Sequence, residues 1–467
     1  MFRLLRLENF KSWRDTGPVR LAPVTAFFGS NSSGKTSILQ SLLMLRQTVE
    51  DSDRRQTLTL SGIANLGTYS DIIFDHRESN LLKIRVDWTA EDQVTVSNLA
   101  ARAKKKSSTI AKSDKLSLET SIALTSTDAV VEQLTYSINE DAKSTRFHLT
   151  HKGDDKYDLS SEEYDFVRNP GRAWPLPRPN KFYGFPDQVR VYFQNASFLS
   201  DLELEFEKAC RRIRYLGPLR EDPKREYIFT GGAPQDVGRR GELAVSALVS
   251  SMAQQRKISR GWIDHNHTRR LKRLPIEEVI AQWLSTLGLI DSFRLERLDD
   301  RNTLYRVSVK QGPNSPPVLL TDVGFGVSQV LPVLVLLAYA DEGDTVILEQ
   351  PEIHLHPAVQ SGLADIILES ALARGIQIIF ESHSEHLLSR IQRRIAEEHL
   401  HNGITITPED VALYFCDQTE GVSHLENLHI DLFGNITNWP PGFFGDPMAD
   451  QVAMLEAKSR RTSRMGN

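Results

Sequence analysis

Eight consecutive residues, Gly29-Ser30-Asn31-Ser32-Ser33-Gly34-Lys35-Thr36, satisfy the phosphate-binding pattern G-x-x-x-x-G-K-[ST] in full. The chemistry this spacing supports is the cradling of a polyphosphate. Two glycines let the backbone wrap closely around negative charge, so that successive N–H groups and a helix N-terminus converge on it. Lys35 would pair with the β- and γ-phosphates. The hydroxyl of Thr36 would ligand the Mg²⁺ that bridges them. The expected nucleotide contacts are therefore Gly29, Asn31, Ser33, Gly34, Lys35, Thr36 and Ser37.

Three further stretches carry matching chemistry. Thr345-Val346-Ile347-Leu348-Glu349 is a strand-forming run that ends in a carboxylate, which a buried parallel strand would deliver to the Mg²⁺ shell at the sheet edge. Gln350-Pro351-Glu352-Ile353-His354-Leu355-His356-Pro357 follows directly. A second apolar run, Ile376 to Phe380, ends in Glu381-Ser382-His383-Ser384. Upstream, Thr321-Asp322-Val323-Gly324-Phe325-Gly326-Val327-Ser328-Gln329 leads into an apolar helix, and a glycine-bearing loop before a helix N-terminus is another anion-binding device. Two such devices in one chain suggest a nucleotide sandwiched between subunits.

Other candidates are less decided. His354, His356, His383 and His386 with Glu352 and Glu381 have the composition of a metal cluster, but no H-E-x-x-H spacing supports an independent zinc site. Arg220 and Arg225 follow the turn Gly217-Pro218-Leu219. Either could reach a phosphate or form a surface ion pair, and Gly238-Arg239-Arg240-Gly241 is equally open.

The elements that must position these residues follow from hydrophobic periodicity. Val24 to Phe28 reads as a buried strand before the phosphate loop, and Ile38, Leu39, Leu42, Leu43 and Leu45 recur at helical spacing after it. Residues 1–95 read as the first lobe of an α/β nucleotide-binding head. Residues 96–200 turn Lys/Ser/Thr/Asp-rich with short alternating runs, as in an inserted β-rich region with a mobile start. Residues 201–320 carry helical spacing at Ile276, Val279, Ile280, Trp283 and Leu284 and read as a helical lid or arm with a connecting strand. The second lobe is expected at 321–400, and 401–467 as a small appendage.

Composition bounds the class. With 467 residues, 40% hydrophobic and 25% charged, the chain is an ordinary globular protein of two or three domains. The apolar run Val330 to Ala340 is too short to span a bilayer and no signal peptide is evident, so a cytoplasmic protein without membrane contact is expected. Cys210 and Cys416 cannot make a disulfide framework. The net charge of −5 gives no global attraction to nucleic acid, so DNA contact would need the clusters at Lys104 to Lys106, Arg211 to Arg214, Arg269 to Arg273 or Lys458 to Arg461. Each also fits a solvated face.

Taken together, the chain resembles an ABC-class ATPase of the SMC-like, RecF-like and OLD-like (overcoming lysogenization defect) branch. Leu7-Glu8-Asn9-Phe10-Lys11-Ser12-Trp13 resembles its opening strand, Gly29 to Thr36 its Walker A loop and Gly324 to Gln329 its signature loop. Glu349 to Pro357 resembles its Walker B and D-loop, and His383 its switch histidine. The resemblance implies an ABC-type head that binds ATP and Mg²⁺, with Thr36 and Glu349 holding the metal. It also implies that Gly324, Gly326, Ser328 and Gln329 reach a partner's nucleotide, and that the catalytic set is drawn from Glu349, Gln350, Glu352 and His383. The family's catalytic glutamate is here Gln350, which cannot act as a base, so hydrolysis would be slow or rely on Glu352.

Asp431 to Ile436 and Trp439 to Phe444 resemble a short C-terminal domain of a bacterial subgroup. The residues after His383 are too few for a toprim nuclease, so any nuclease would be a partner. The implied function is a nucleotide-dependent dimerisation switch in anti-phage defence, acting through a separate effector protein. Its rivals are a RecF-like clamp on DNA and a nucleotide-gated scaffold with little turnover.

Overall fold

The computed structural model describes residues 1–97, 109–141, 143–263, 269–440, 454–458 and 461. Lys104 to Lys106, Ser459 and Arg460 of the Lys458 to Arg461 cluster, and Pro441 to Phe444 of the C-terminal segment lie outside the described residues.

A six-stranded sheet organises the molecule. Its strands run in the order Ile213–Leu216, Thr345–Glu349, Gln377–Glu381, Val24–Gly29, Val411–Thr419 and Val422–Leu428; the first five are parallel and the last is antiparallel. The three central strands are buried along their whole length, as expected where a parallel sheet is covered on both faces. Alternate side chains feed opposite cores. Phe27, Ile347, Ile379 and Tyr414 enter one, while Val346, Leu348, Ile378, Phe380 and Leu413 enter the other. The 377–381 strand lies between the strands that end in Gly29 and Glu349. All three ends therefore open on one edge of the sheet, where α/β folds bind ligands.

The first core is closed by an eight-stranded sheet built from Phe2–Phe10, Trp13–Asp15, Val19–Arg20, Leu81–Ser97, Thr109–Leu124, Ala129–Asn139, Ser144–His151 and Tyr157–Ser160. The 16-residue helix Lys35–Glu50 buries Ile38, Leu39, Leu42, Leu43 and Leu45 in that core. Leu81–Ser97 runs straight across the expected boundary at 95/96, so the first lobe and the β-rich insert share one sheet.

Two other expectations also change. Residues 201–320 contain the helices Ala244–Ala253 and Ile276–Thr286, but also a hairpin, Lys257–Ile263 with Arg269–Pro275, and a small sheet of Tyr227–Ile228, Ser292–Arg297, Leu304–Lys310 and Val318–Leu319. The region is mixed rather than helical. The segment after 401 is no appendage. Its strand Val411–Thr419 pairs with the phosphate-loop strand in parallel and is fully part of the central sheet. Among the described residues no helix is long and apolar enough to cross a membrane.

Candidate functional site

The phosphate loop sits where the 24–29 strand turns into the 35–50 helix. Gly29 and Gly34 have φ of 136° and 92°, and a Cβ on Gly29 would lie 2.0 Å from the Cys416 carbonyl oxygen. Only glycine permits that approach. Lys35 is 4% exposed. Its Nζ curls back to donate to the carbonyls of Ser30 (2.6 Å) and Gly29 (3.1 Å) and lies 3.4 Å from Ser33 Oγ. Burial pushes its pKa down. Ser33 is buried, Asn31 is exposed, and Ser37 donates its N–H to the Gly34 carbonyl at 3.0 Å.

Two distant segments brace this loop. The indole Nε1 of Trp13 donates to the Gly34 carbonyl at 3.1 Å. Ser423, on the last strand of the sheet, donates through its backbone N–H to the Ser12 carbonyl at 2.9 Å and through its hydroxyl to Ser12 Oγ at 2.7 Å. The opening strand and the C-terminal hairpin thus hold the loop from one side.

Acids converge from the other side. Glu349 and Glu381 are register partners at the ends of adjacent parallel strands. Thr36 Oγ1 donates to Glu381 Oε2 at 2.8 Å, and Tyr215 donates its phenol to Glu349 Oε1 at 2.8 Å. Desolvation, reinforced by the Glu349 charge, raises the Glu381 pKa to about 7. Burial also raises Glu349. Thr36, expected to share a metal with Glu349, thus bonds Glu381, the register neighbour of Glu349, which the sequence marks only as the end of an apolar strand before His383.

Glu352 is 6% exposed and holds the Ser382–His383 segment: its Oε1 accepts from Ser382 Oγ at 2.7 Å and from the His383 backbone N–H at 2.8 Å. Its Oε2 has no partner, and desolvation raises its pKa. His383 lies near the Gly29 carbonyl, and its pKa is lowered by burial and by the nearby Lys35 charge. The structure thus brings His383 to the phosphate loop. Gln350 has a φ of 44° and donates its backbone N–H to the Glu381 carbonyl at 3.0 Å, fixing the bend after the Glu349 strand.

The Gly324 to Gln329 loop lies apart from this cluster, against the segment after Gln350. Phe325 packs edge-on to His354 with centroids 5.1 Å apart, and Gly326 faces Leu355. Gly324 is exposed and Gly326 half-buried, while Ser328 and Gln329 are buried in the helix Phe325–Tyr339, with Ser328 Oγ donating to the Phe325 carbonyl at 2.7 Å. Within one chain, the surface this loop offers is Gly324 and Phe325.

The two arginines left open by the sequence separate cleanly. Arg225 is exposed and pairs with Asp322 at 3.0 Å. Arg220 is 6% exposed; its Nη2 donates to the Glu349 carbonyl at 3.4 Å, and its Nε and Nη1 have no hydrogen-bond partner. His356 caps the helix Pro357–Arg374 through Nδ1, and His354 packs on Phe325, so both histidines have local structural work. Among the described residues no group of three or more His, Cys, Asp or Glu assembles to hold a metal by itself.

Those residues fit a magnesium-bound nucleotide. A buried lysine rests on loop carbonyls, crowded carboxyls sit above their ordinary range, and one carboxylate oxygen and one guanidinium are left short of partners. A P-loop Mg²⁺ takes few protein ligands and shares the rest with phosphate.

Residues 24–389 match a family model described as "AAA domain, putative AbiEii toxin, Type IV TA system". Residues 406–453 match one described as "Protein of unknown function (DUF3696)". No curated protein matches the chain. Among solved structures, the chain is similar to an SMC head bound to the C-winged helix domain of ScpA, at 12% identity over 92% of this chain and 98% of that one, with a TM-score of 0.43. It is also similar to the SMC head domain from Thermotoga maritima, at 11% identity over 92% and 99% of the two chains, with a TM-score of 0.40. A third is the Smc head with an extended coiled coil bound to the C-terminal domain of ScpA from Pyrococcus furiosus, at 12% identity over 91% and 96%, with a TM-score of 0.40. With a phosphate loop, a buried acid cluster and a family match over most of its length, the chain belongs to the AAA-domain family described as putative AbiEii toxin, Type IV TA system.

Proposed function

We propose that the protein binds and hydrolyses ATP and uses the nucleotide as a dimerisation switch of the SMC-like and OLD-like kind. The observation that carries this reading is the convergence on one sheet edge of Lys35, the Thr36–Glu381 pair, Glu349 and His383. Lys35 would exchange its loop carbonyls for the β- and γ-phosphates, and His383 would report on the γ-phosphate beside it. Thr36, Glu381 and Glu349 would hold Mg²⁺, whose contribution is to neutralise charge on the transferring phosphoryl group.

Glu352 is the better candidate for the base that takes the proton of the attacking water. It has a free carboxylate oxygen, whereas Gln350 has no basic group. The signature segment would close on a second copy through Gly324 and Phe325, with Ser328 and Gln329 following only if the helix start opens. A cytoplasmic setting, a separate effector and a role in anti-phage defence complete the proposal. The toxin–antitoxin wording of the family description supports it at that level.

The second reading is a nucleotide-gated scaffold, favoured by Gln350 in the position where a catalytic carboxylate is expected. ATP turnover and mass in solution separate the two. Turnover together with an ATP-dependent increase in mass, both lost in Lys35→Ala, supports the switch. An ATP-dependent mass change without turnover supports the scaffold, and neither response contradicts both.

A further inference from the structure

Arg220 lies in the loop that follows the Ile213–Leu216 strand, which pairs with the strand that carries Glu349. Its loop is pinned on both sides: Gly217 N–H donates to the Arg239 carbonyl at 2.9 Å and Glu221 N–H to the Arg240 carbonyl at 2.8 Å. Arg220 is more than nine-tenths buried, yet its Nε and Nη1 have no hydrogen-bond partner. Fixing a guanidinium in the interior with donors unused is costly, and folds keep such groups where a ligand completes them.

The surroundings say what that ligand is. Tyr215, Glu349 and Glu352 all lie within electrostatic reach of Arg220. Glu352 is also within reach of Lys35, so the same carboxylate feels both the arginine and the phosphate-loop lysine. Yet Arg220 makes no ion pair with any of these carboxylates. Its fork is held for a group that arrives from outside, and its planar pair of free N–H donors matches two oxygens of a phosphate. The exposed Arg239, within reach of Glu349, adds a second positive charge to the same corner.

We infer that Arg220 is the residue that recognises the terminal phosphate of the bound nucleotide from the Glu349 side, so that it distinguishes a triphosphate from a diphosphate. This inference rests on the ATP reading above. It makes Arg220 a phosphate contact supplied by the chain that holds the nucleotide, opposite Lys35.

The test is equilibrium binding of ATP and ADP, each with Mg²⁺, to the wild type and to Arg220→Gln, Arg220→Lys and Lys35→Ala. Arg220→Gln should weaken ATP about 10- to 100-fold, the range of a lost charge-assisted pair, and leave ADP within about threefold. Arg220→Lys keeps the charge and loses the fork, so it should weaken ATP about three- to tenfold with ADP again unchanged. It also serves as the variant should Arg220→Gln not fold. Equal weakening of ATP and ADP, or no weakening of either, in a protein whose Lys35→Ala form has lost ATP, overturns the inference and leaves the ATP reading standing. A wild type that binds neither nucleotide overturns both.

Discussion

Replacing Glu381 by glutamine should stabilise the nucleotide-free protein, and should do so more strongly as pH rises. Glu381 is 2% exposed, and burial together with the neighbouring Glu349 raises its pKa from 4.5 to about 7. A carboxyl whose folded pKa is raised binds its proton more tightly in the native state. Its contribution is therefore fully present below pH 4.5 and is lost as pH climbs through about 7. At 1.36 kcal/mol per pH unit the full loss is about 3 kcal/mol, and most of it falls between about pH 5 and pH 8.

Glutamine keeps an oxygen to accept from Thr36 but carries no charge, so the variant escapes the loss. Glu203, raised to about 7 by burial, and the Met1 amine, lowered to about 6 by burial, titrate in the same window. They do so equally in both proteins and cancel from the difference. Urea denaturation at pH 5, 6, 7 and 8 without nucleotide or metal gives that difference directly. A gap between variant and wild type that stays constant across the series would refute the reasoning.

Gly29→Ala places a Cβ 2.0 Å from the Cys416 carbonyl, so the 411–419 strand must move; the thermal midpoint should fall by the equivalent of about 2–4 kcal/mol, with ATP binding lost. Trp13→Phe removes the donor to the Gly34 carbonyl, and ATP affinity measured by titration should drop about fivefold, the equivalent of about 1 kcal/mol. Arg225→Ala removes an exposed ion pair with Asp322, and denaturation should show a change within about 0.5 kcal/mol and no change in ATP affinity.

What the sequence makes legible is what lies close together along the chain. The phosphate loop, its strand and its helix are one continuous stretch, and the buried parallel strands announce themselves as largely apolar runs starting at Val24, Thr345 and Ile376. The same signal is present in Val411-Ala412-Leu413-Tyr414-Phe415-Cys416, which the structure places beside the phosphate-loop strand. Its position near the end of the chain invites an appendage where there is a central strand.

The bracing of the site is not local. Thr36 meets Glu381 across 345 residues, Tyr215 meets Glu349 across 134, and Ser423 meets Ser12 across 411. No spacing rule connects such positions, because sheet order alone brings them together. Arg220 shows the same limit. Whether an arginine after a turn is a surface ion pair or a buried, half-satisfied donor depends on what the fold stacks over it, and the two outcomes fall on Arg225 and Arg220 five residues apart.

The central claim is that the Gly29 to Thr36 loop holds a magnesium-bound nucleotide through Lys35. Equilibrium titration of ATP with Mg²⁺ against the wild type and Lys35→Ala, at equal and verified folding, tests it most directly. The wild type should bind saturably, one to one, and the variant should lose at least about 100-fold in affinity, because a charge-assisted phosphate contact and the loop's anchor go together. Equal affinity in the two proteins, or no binding by a folded wild type, would contradict it.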